Sequence, residues 1–105
     1  MTATVPFFSI ITATCNAAET LPILLASLSE QHCRDFELVV QDARSSDGTL
    51  ALLERASGIP AIELLSERDS GIYDAWNRAV ARARGQWLLF LGSDDRLSDA
   101  DVLGK

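Results

Sequence analysis

The clearest structural signal in the chain is Trp87-Leu88-Leu89-Phe90-Leu91-Gly92-Ser93-Asp94-Asp95, an uncharged apolar run that ends in two adjacent carboxylates. Five consecutive apolar residues between Gly85 and Gly92 are typical of a strand buried on both faces, as in the centre of a parallel sheet. Open parallel sheets bind their ligands outside the carboxyl ends of their strands. The run therefore predicts an α/β fold with a polar site where this strand ends.

The pair Asp94 and Asp95 has two interpretations. Hard divalent cations prefer oxygen ligands, so two carboxylates at a strand end are suited to holding one. Asp is also a favoured N-cap, and the pair would then simply open a helix on a polar turn. These nine residues leave the two alternatives open.

Size and charge narrow the class of protein. A chain of 105 residues with 48% hydrophobic content can build one domain with a single core, which we predict to span residues 1–105. The formal net charge of −6 argues against nucleic acid or an anionic membrane surface as a partner, because both require clustered Lys and Arg. No apolar stretch approaches the roughly 20 residues that span a bilayer, and the first residues lack the features of a signal peptide.

The two cysteines, Cys15 and Cys33, lie far apart in sequence and have no His at ligand spacing. Their spacing indicates neither a zinc site nor a disulfide framework. We expect free thiols and a reducing, cytoplasmic location.

Hydrophobic patterning predicts strands and helices in strict alternation. Strands are predicted over 7–14, 36–42, 61–66 and 87–91, and helices over 16–31, 49–56 and 72–84. Asn16 is the expected N-cap of the first helix, with Glu19 completing a capping-box pair. Ile72 is expected on the apolar face of the third helix, and Arg82 away from it. Short alternating elements of this kind require parallel strands joined by right-handed crossovers.

Parallel strands bring their carboxyl ends to one edge of the sheet. The residues expected there are Thr14, Cys15, Asn16, Asp42, Arg68, Asp69, Asp94 and Asp95. Gathered carboxylates remain ionised only when a cation or hydrogen-bond donors compensate them. Mg²⁺ or Mn²⁺ with a diphosphate meets that requirement, and Asp42 is placed to accept from a nucleobase imide or a sugar hydroxyl. The alternative is that these side chains are helix caps and surface ion pairs.

Other α/β domains that bind ligands at the carboxyl ends of their strands are disfavoured. Residues 14–19 contain no glycine, whereas a dinucleotide-binding domain needs G-x-G-x-x-G there and a P-loop needs its own glycines. A phosphoacceptor receiver domain would need an acidic pair where this chain has Cys15 and Asn16.

Four segments, in order, resemble the inverting family 2 glycosyltransferases with the GT-A fold, particularly the bacterial type that assembles surface polysaccharides. They are the opening strand 9–16, the Asp-x-x-Ser-x-Asp-Gly-Thr-like segment 42–49, the segment 69–77 (Asp-Ser-Gly-Ile-Tyr-Asp-Ala-Trp-Asn), and 91–95, which is similar to the metal-binding DxD region. The resemblance implies a three-layer, Rossmann-like parallel sheet with helices on both faces. It also implies transfer of a sugar, with a UDP-linked sugar as the expected donor, to a saccharide or lipid-linked acceptor in cell-surface polysaccharide biosynthesis.

The resemblance also implies roles for individual residues. It places the nucleotide near Ala13, Cys15, Glu19 and Asp69, the base against Asp42, and ribose, Mn²⁺ or Mg²⁺ and diphosphate at Asp94 and Asp95. The family usually has Tyr where this chain has Cys15, and often Asp or Asn where it has Gly92. The second difference leaves Asp94 and Asp95 as the only candidate metal ligands of that motif.

Domains of the family are longer than this chain, and their catalytic base and acceptor-binding residues would follow Lys105. We therefore expect the N-terminal, donor-binding half of a truncated GT-A domain, inactive alone, with an edge or apolar face at the strand over 87–91 exposed and a homodimer as the result. Peripheral attachment at the inner membrane face stays open for a longer protein. The alternatives are a catalytically silent nucleotide-binding or assembly module and, more distantly, a nucleotidyltransferase.

Overall fold

Strands and helices alternate through the computed structural model, which describes residues 6–68, 70–98 and 102–103. The described elements are β1 (Phe8–Thr14), α1 (Leu21–Ser29), β2 (Phe36–Asp42), α2 (Thr49–Arg55), β3 (Ile62–Ser66), α3 (Ile72–Arg82) and β4 (Trp87–Phe90). Asp69 lies outside the described residues, so its predicted site role has no structural counterpart.

The described strands form one parallel sheet in the order β3-β2-β1-β4. In the register of the sheet, Thr14 lies beside Asp42 and Asp42 lies beside Ser66. The carboxyl ends of three strands therefore meet in one row, as the alternation of elements predicts.

Helices cover both faces of the sheet. Alternate residues of a strand point to opposite faces, so Ile10 packs with Leu24 and Leu28 of α1 and with Leu53 of α2, whereas the adjacent Ile11 packs against Ala79 of α3. β2 is buried along its whole length. The three-layer α/β fold predicted from the sequence is confirmed.

The predicted start of the first helix was wrong. α1 begins at Leu21 after Thr20, and no side chain caps it. Asn16 instead adopts a left-handed backbone with φ 49°, and its side-chain oxygen accepts from the backbone N–H groups of Ser46 (2.8 Å) and Asp47 (3.3 Å). Because the Asn16 side chain bridges to the loop after β2, the capping-box pair with Glu19 does not form.

β4 is not the doubly buried strand that its apolar run predicts. Among the described strands it pairs with β1 alone, and Trp87, Leu88 and Phe90 are 61%, 43% and 43% exposed. The strand is therefore an edge strand of the described sheet with apolar side chains in solvent, which agrees with the expected exposure of an edge or apolar face.

The two ends of α3 also differ from the prediction. Ile72, expected to face the core, is 52% exposed at the first turn. Arg82, expected in solvent, turns back beneath the helix and donates to the backbone oxygen of Val40 at 2.9 Å. No helix in the described part of the chain has the length and apolar character needed to cross a membrane.

Candidate functional site

A cavity of about 360 Å³ opens at the carboxyl edge of the sheet, between the ends of β1 and β2 and the first turn of α3. Most of its lining residues have small side chains, and none of them is charged. The lining residues are Ala13, Thr14, Cys15, Ala43, Gly71, Ile72, Ala75 and Ser93.

A larger groove, of about 600 Å³, lies between α1 and α2. Small and apolar side chains line it, and Arg55 is its single charged lining residue. Most of its lining residues belong to the two helices, so it lies mainly over one face of the sheet. Parallel sheets bind ligands outside the carboxyl ends of their strands, and we therefore take the smaller cavity as the candidate site.

Asp42 lies beneath the cavity, fully buried at the end of β2. Its Oδ1 accepts from the hydroxyls of Thr14 (2.6 Å) and Ser45 (2.6 Å). Its Oδ2 accepts from the backbone N–H of Ser45 (2.8 Å) and the hydroxyl of Ser66 (2.8 Å). Burial alone would raise the pKa of Asp42, but these hydrogen bonds outweigh it and hold the pKa below its ordinary value. The carboxylate is therefore ionised and held from four directions.

The loop after β1 is locked onto the loop after β2. The backbone N–H of Asn16 donates to the Ser45 hydroxyl at 2.8 Å, and that of Ala18 donates to Asp47 at 3.1 Å. Asp47 also accepts from the backbone N–H (3.0 Å) and the hydroxyl (2.5 Å) of Thr49 at the start of α2. These bonds fix the backbone directly after Cys15.

The rim of the cavity next to α3 is shaped by Gly71. Its φ of 123° lies in a region that favours glycine, and a Cβ there would meet no atom within 4 Å. The preceding Ser70 N–H donates to Asp74 at 2.8 Å, and Asp74 in turn pairs with Arg78 at 3.2 Å. The hydrogen bond from Ser70, followed by that from Arg78, lowers the pKa of Asp74.

Asp94 and Asp95 are exposed on a turn after β4, next to Ser93, which lines the cavity. The backbone N–H of Gly92 donates to Oδ2 of Asp95 at 2.7 Å. A Cβ at position 92 would lie 3.0 Å from Oδ1 of Asp94 and 3.2 Å from Oδ2 of Asp95. Glycine thus lets both carboxylates fold back over the turn.

The predicted site residues are brought together only in part. Ala13 and Cys15 line the cavity, Asp42 lies under it, and Asp94 and Asp95 adjoin it through Ser93. Glu19 is exposed in the loop before α1 and is not among the lining residues. Within the described residues, no three His, Cys, Asp or Glu side chains are grouped as they would be around a metal ion.

Sequence reasoning missed five lining residues as site residues, although it singled out their segments by resemblance: Ala43, Gly71, Ile72, Ala75 and Ser93. The helical spacing of Ile72 and Ala75 suggested core packing alone. The signal that marks them is Gly71, because a glycine directly before an apolar helix start permits an abrupt turn at the sheet edge.

Comparison with known proteins bears directly on this arrangement. Residues 9–104 match a protein-family model described as Glycosyl transferase family 2. The chain belongs to glycosyl transferase family 2. The resemblance identified from the four segments is thereby confirmed.

One relative within glycosyl transferase family 2 is the PGL/p-HBAD biosynthesis glycosyltransferase of Mycobacterium bovis, which is 47% identical over 102 residues. The match covers 95% of this chain and 40% of the relative. The chain therefore spans less than half the length of this relative.

Solved glycosyltransferase structures share the fold. Staphylococcus aureus TarS, crystallised as residues 1–349 with UDP-GlcNAc, has a TM-score of 0.82 and 32% identity, covering 92% of this chain and 29% of that one. A mannosyltransferase of Pyrobaculum calidifontis, in complex with GDP-Man and Mn²⁺, has a TM-score of 0.85 and 30% identity, covering 93% and 30%. These matches confirm the GT-A type of α/β fold for this family 2 chain.

Proposed function

We propose that this chain supplies the donor-binding part of an inverting glycosyltransferase that transfers a sugar from a nucleotide-diphospho-sugar to an acceptor hydroxyl. The observation that carries the proposal is the cavity at the carboxyl edge of the sheet, with Ala13 and Cys15 on one side and the Asp94–Asp95 turn at its border. A nucleoside fits the uncharged slot, and a diphosphate would reach the carboxylates through a cation.

The carboxylates fit a divalent cation. Asp94 and Asp95 present oxygen ligands on one exposed turn, and the Gly92 N–H already occupies one oxygen of Asp95. Two side chains do not fill the six positions around Mg²⁺ or Mn²⁺, so donor phosphates and water would complete the shell, as is common for such ions. The Mn²⁺ in the mannosyltransferase complex supports this assignment.

In this mechanism the residues of the chain bind and orient the donor. Asp94 and Asp95 would hold the cation, which when bound would supply positive charge opposite the nucleoside diphosphate leaving group. The locked loops around Cys15 and Ala43 would hold the nucleoside in one position, which limits the orientations of the attached sugar relative to the acceptor hydroxyl. The proposal assigns no catalytic base to the residues that the structure describes, and Glu19 and Asp69 stay predictions as nucleotide-binding residues.

The donor and the pathway are proposed from relatives. TarS was crystallised with UDP-GlcNAc, which supports a UDP-linked sugar as the donor. The mannosyltransferase was solved with GDP-Man, so GDP is the second nucleotide to be tested. The name of the mycobacterial relative refers to PGL/p-HBAD biosynthesis, which supports an acceptor that is a saccharide or is linked to a lipid.

The test is calorimetric titration of the chain with UDP, GDP and dTDP, each with and without Mn²⁺. We expect Mn²⁺-dependent binding, with UDP the tightest, and loss of the Mn²⁺ dependence in Asp95→Ala. The matched control is Glu54→Ala, which removes an equally exposed carboxylate from α2, outside the cavity. Absence of binding by every nucleotide, or equal loss in both variants, would contradict the proposal.

A second candidate is a nucleotide-binding module that performs no transfer. It is favoured by one observation, that the described residues hold no group of three potential metal ligands. Nucleotide binding that is tight and indifferent to Mn²⁺ would support this candidate.

We also infer that two copies associate through β4. The strand has a free hydrogen-bonding edge in the described sheet, and three of its four side chains are more than 40% exposed and apolar. Pairing with a second β4 would cover both the edge and these side chains, which are otherwise prone to association.

A further inference from the structure

The first turn of α3 borders the candidate cavity but has little apolar packing of its own against the sheet. Ile72 and Tyr73 are both more than half exposed, and the buried residues of the helix are Ala75 and Ala79. Ala79 packs against the sheet about two turns after the helix begins. Apolar packing therefore fixes the middle of α3 more firmly than the turn at the rim of the cavity.

Arg78 contacts two carboxylates at once, one at each end of the connection between β3 and α3. Its Nη1 lies 2.8 Å from Oε1 of Glu67, directly after β3, and its Nε lies 3.2 Å from Oδ1 of Asp74, in the first turn of α3. Oδ2 of Asp74 accepts from the backbone N–H of Ser70 at 2.8 Å. One guanidinium thus ties the end of β3 to the start of the next helix.

Glu67 is itself attached to the sheet. Its Oε1 accepts from Nε2 of Gln41 at 3.2 Å, and Gln41 is fully buried in β2. Oε1 of Gln41 accepts in turn from Arg82 at 3.0 Å. The hydrogen bond from Arg78, followed by that from Gln41, lowers the pKa of Glu67. The carboxylate that Arg78 contacts is therefore charged and held in place by the sheet.

These ion pairs are too exposed to contribute much to global stability. The side chains of Arg78, Glu67 and Asp74 are 38%, 40% and 30% exposed, and exposed pairs add little to the free energy of unfolding. A weakly packed turn, however, opens at a much lower free energy than the whole domain. The pairs are therefore sufficient to fix the local position of the turn.

We infer that Arg78 is a positioning residue for nucleotide binding: it pairs with Glu67 and Asp74 and thereby fixes the first turn of α3 at the rim of the cavity. That turn brings Gly71 and Ile72 to the lining, whereas Arg78 is not among the lining residues. The inference rests on the proposed function. It also explains the residue type, because the fork of Arg reaches two carboxylates and the ammonium of Lys is a single point charge.

The test is calorimetric titration of the native chain, Arg78→Lys and Arg78→Met with UDP and Mn²⁺. When the binding-competent position of the turn is less populated, the apparent affinity falls by the same fraction. We expect Arg78→Met to bind UDP about fivefold more weakly at unchanged stoichiometry. Arg78→Lys should lie between the two, because it keeps one pair. Native affinity in Arg78→Met would overturn the inference.

Arg55→Met is the matched control, because it removes an exposed arginine from the last turn of α2, outside the cavity. It also removes one positive charge, so it accounts for the general effect of net charge on an anionic ligand. We expect its affinity for UDP to be that of the native chain. An equal loss in Arg55→Met and Arg78→Met would show a general charge effect and overturn the inference.

A double-mutant cycle with Glu67→Gln tests the pairing itself. Residues that act through one contact are not additive. Arg78→Met should therefore weaken UDP binding less in the Glu67→Gln background than in the native one. The same loss in both backgrounds would contradict the assigned pairing.

A measurement without ligand keeps the inference testable if the native chain binds no nucleotide and the proposed function fails. Hydrogen exchange followed by ¹H–¹⁵N NMR reports on the Ser70 N–H, which donates to Asp74. We expect faster exchange at Ser70 in Arg78→Met than in the native chain, with a nearly unchanged urea midpoint. Unchanged exchange would contradict the inference whatever the outcome with nucleotides. A large fall in the urea midpoint would show a role in global stability and contradict it as well.

Discussion

At the scale of single residues, two buried carboxylates on opposite faces of β2 support the fold through hydrogen bonds. Asp42 joins strand ends at the cavity. Glu37 joins neighbouring segments of the chain at the opposite end of the sheet. Glu37 accepts from the Ser9 hydroxyl (2.6 Å) and from the backbone N–H of Arg84 (2.7 Å). The Ser9 hydroxyl accepts in turn from the N–H of Gly85 at 2.7 Å, so one acid anchors the chain where it enters β4.

Stability should depend on pH through Glu37. Burial would raise its pKa, but hydrogen bonds from Arg84 and Ser9 and the charge of Arg84 hold it below the ordinary 4.5. A lowered pKa means that the unfolded chain binds more protons, so this contribution is present above pH 4.5 and is lost as the pH falls through the lower native pKa. We expect Glu37→Gln to be less stable at pH 7 by about 1–3 kcal/mol.

Urea unfolding at pH 7 and at pH 3.5 measures this dependence. The native chain should lose more stability between the two pH values than Glu37→Gln does. Equal losses in the two proteins would show that Glu37 does not contribute through its charge.

At the scale of elements, the join between α3 and β4 is tightly constrained. A Cβ on Gly85 would lie 2.5 Å from the backbone nitrogen of Ser9 and 2.7 Å from the carbonyl carbon of Phe8. β1 therefore approaches the start of β4 too closely for any side chain at this position.

Gly85→Ala should accordingly destabilise the chain by about 1–3 kcal/mol, the usual cost of overpacking against a rigid neighbour. Gly48→Ala is the matched control, because its Cβ would meet only the Ala18 side chain at 3.8 Å. We expect the control to change stability by less than about 0.5 kcal/mol. Chemical denaturation compares the two variants, and equal effects would contradict the close approach.

Local sequence patterns predicted most element cores but not every boundary. The strand over 36–42 follows from its β-branched residues, and the start of α2 at Thr49 follows from Asp47. Both signals act within a few residues of the element they predict. The start of α1 could not be predicted in this way, since Asn16 is used by backbone groups about thirty residues away. A pattern local to 16–19 contains no sign of that partner.

In the candidate site, too, the sequence predicted some features, and others depend on residues distant in the chain. Topology alone brought Asp42 and the Asp94–Asp95 pair to one edge of the sheet. Whether a side chain there is available to a ligand depends on its neighbours across strands: Asp42 is enclosed by Thr14, Ser45 and Ser66, while Asp94 is exposed. The exposure of β4 likewise depends on its place in the strand order, which an apolar run cannot specify.

At the scale of the whole molecule, the donor site and the proposed dimer surface are separate. The cavity lies at the carboxyl ends of the strands, whereas β4 presents its length along a lateral edge. Leu88 pairs with Ser9 near the start of β1, away from the cavity lining. Self-association and nucleotide binding should therefore be altered independently.

Leu88→Lys should produce a monomer, because a charged side chain on an exposed edge strand opposes pairing with a second copy. Sedimentation equilibrium compares its mass with that of the native chain, which we expect to be a dimer. UDP affinity should be unchanged in the variant. A native mass equal to one chain at high concentration would contradict the dimer.

The central claim is that a nucleotide and a cation occupy the carboxyl edge of this sheet together. The most direct measurement is the ¹H–¹⁵N NMR spectrum of the chain with UDP and Mn²⁺, with Mg²⁺ as the diamagnetic reference. We predict that Mn²⁺ broadens the amide signals of residues 92–95, while UDP shifts those of Ala13, Cys15, Ala43 and Gly71. Broadening that is strongest elsewhere, or shifts confined to the groove between α1 and α2, would contradict the claim.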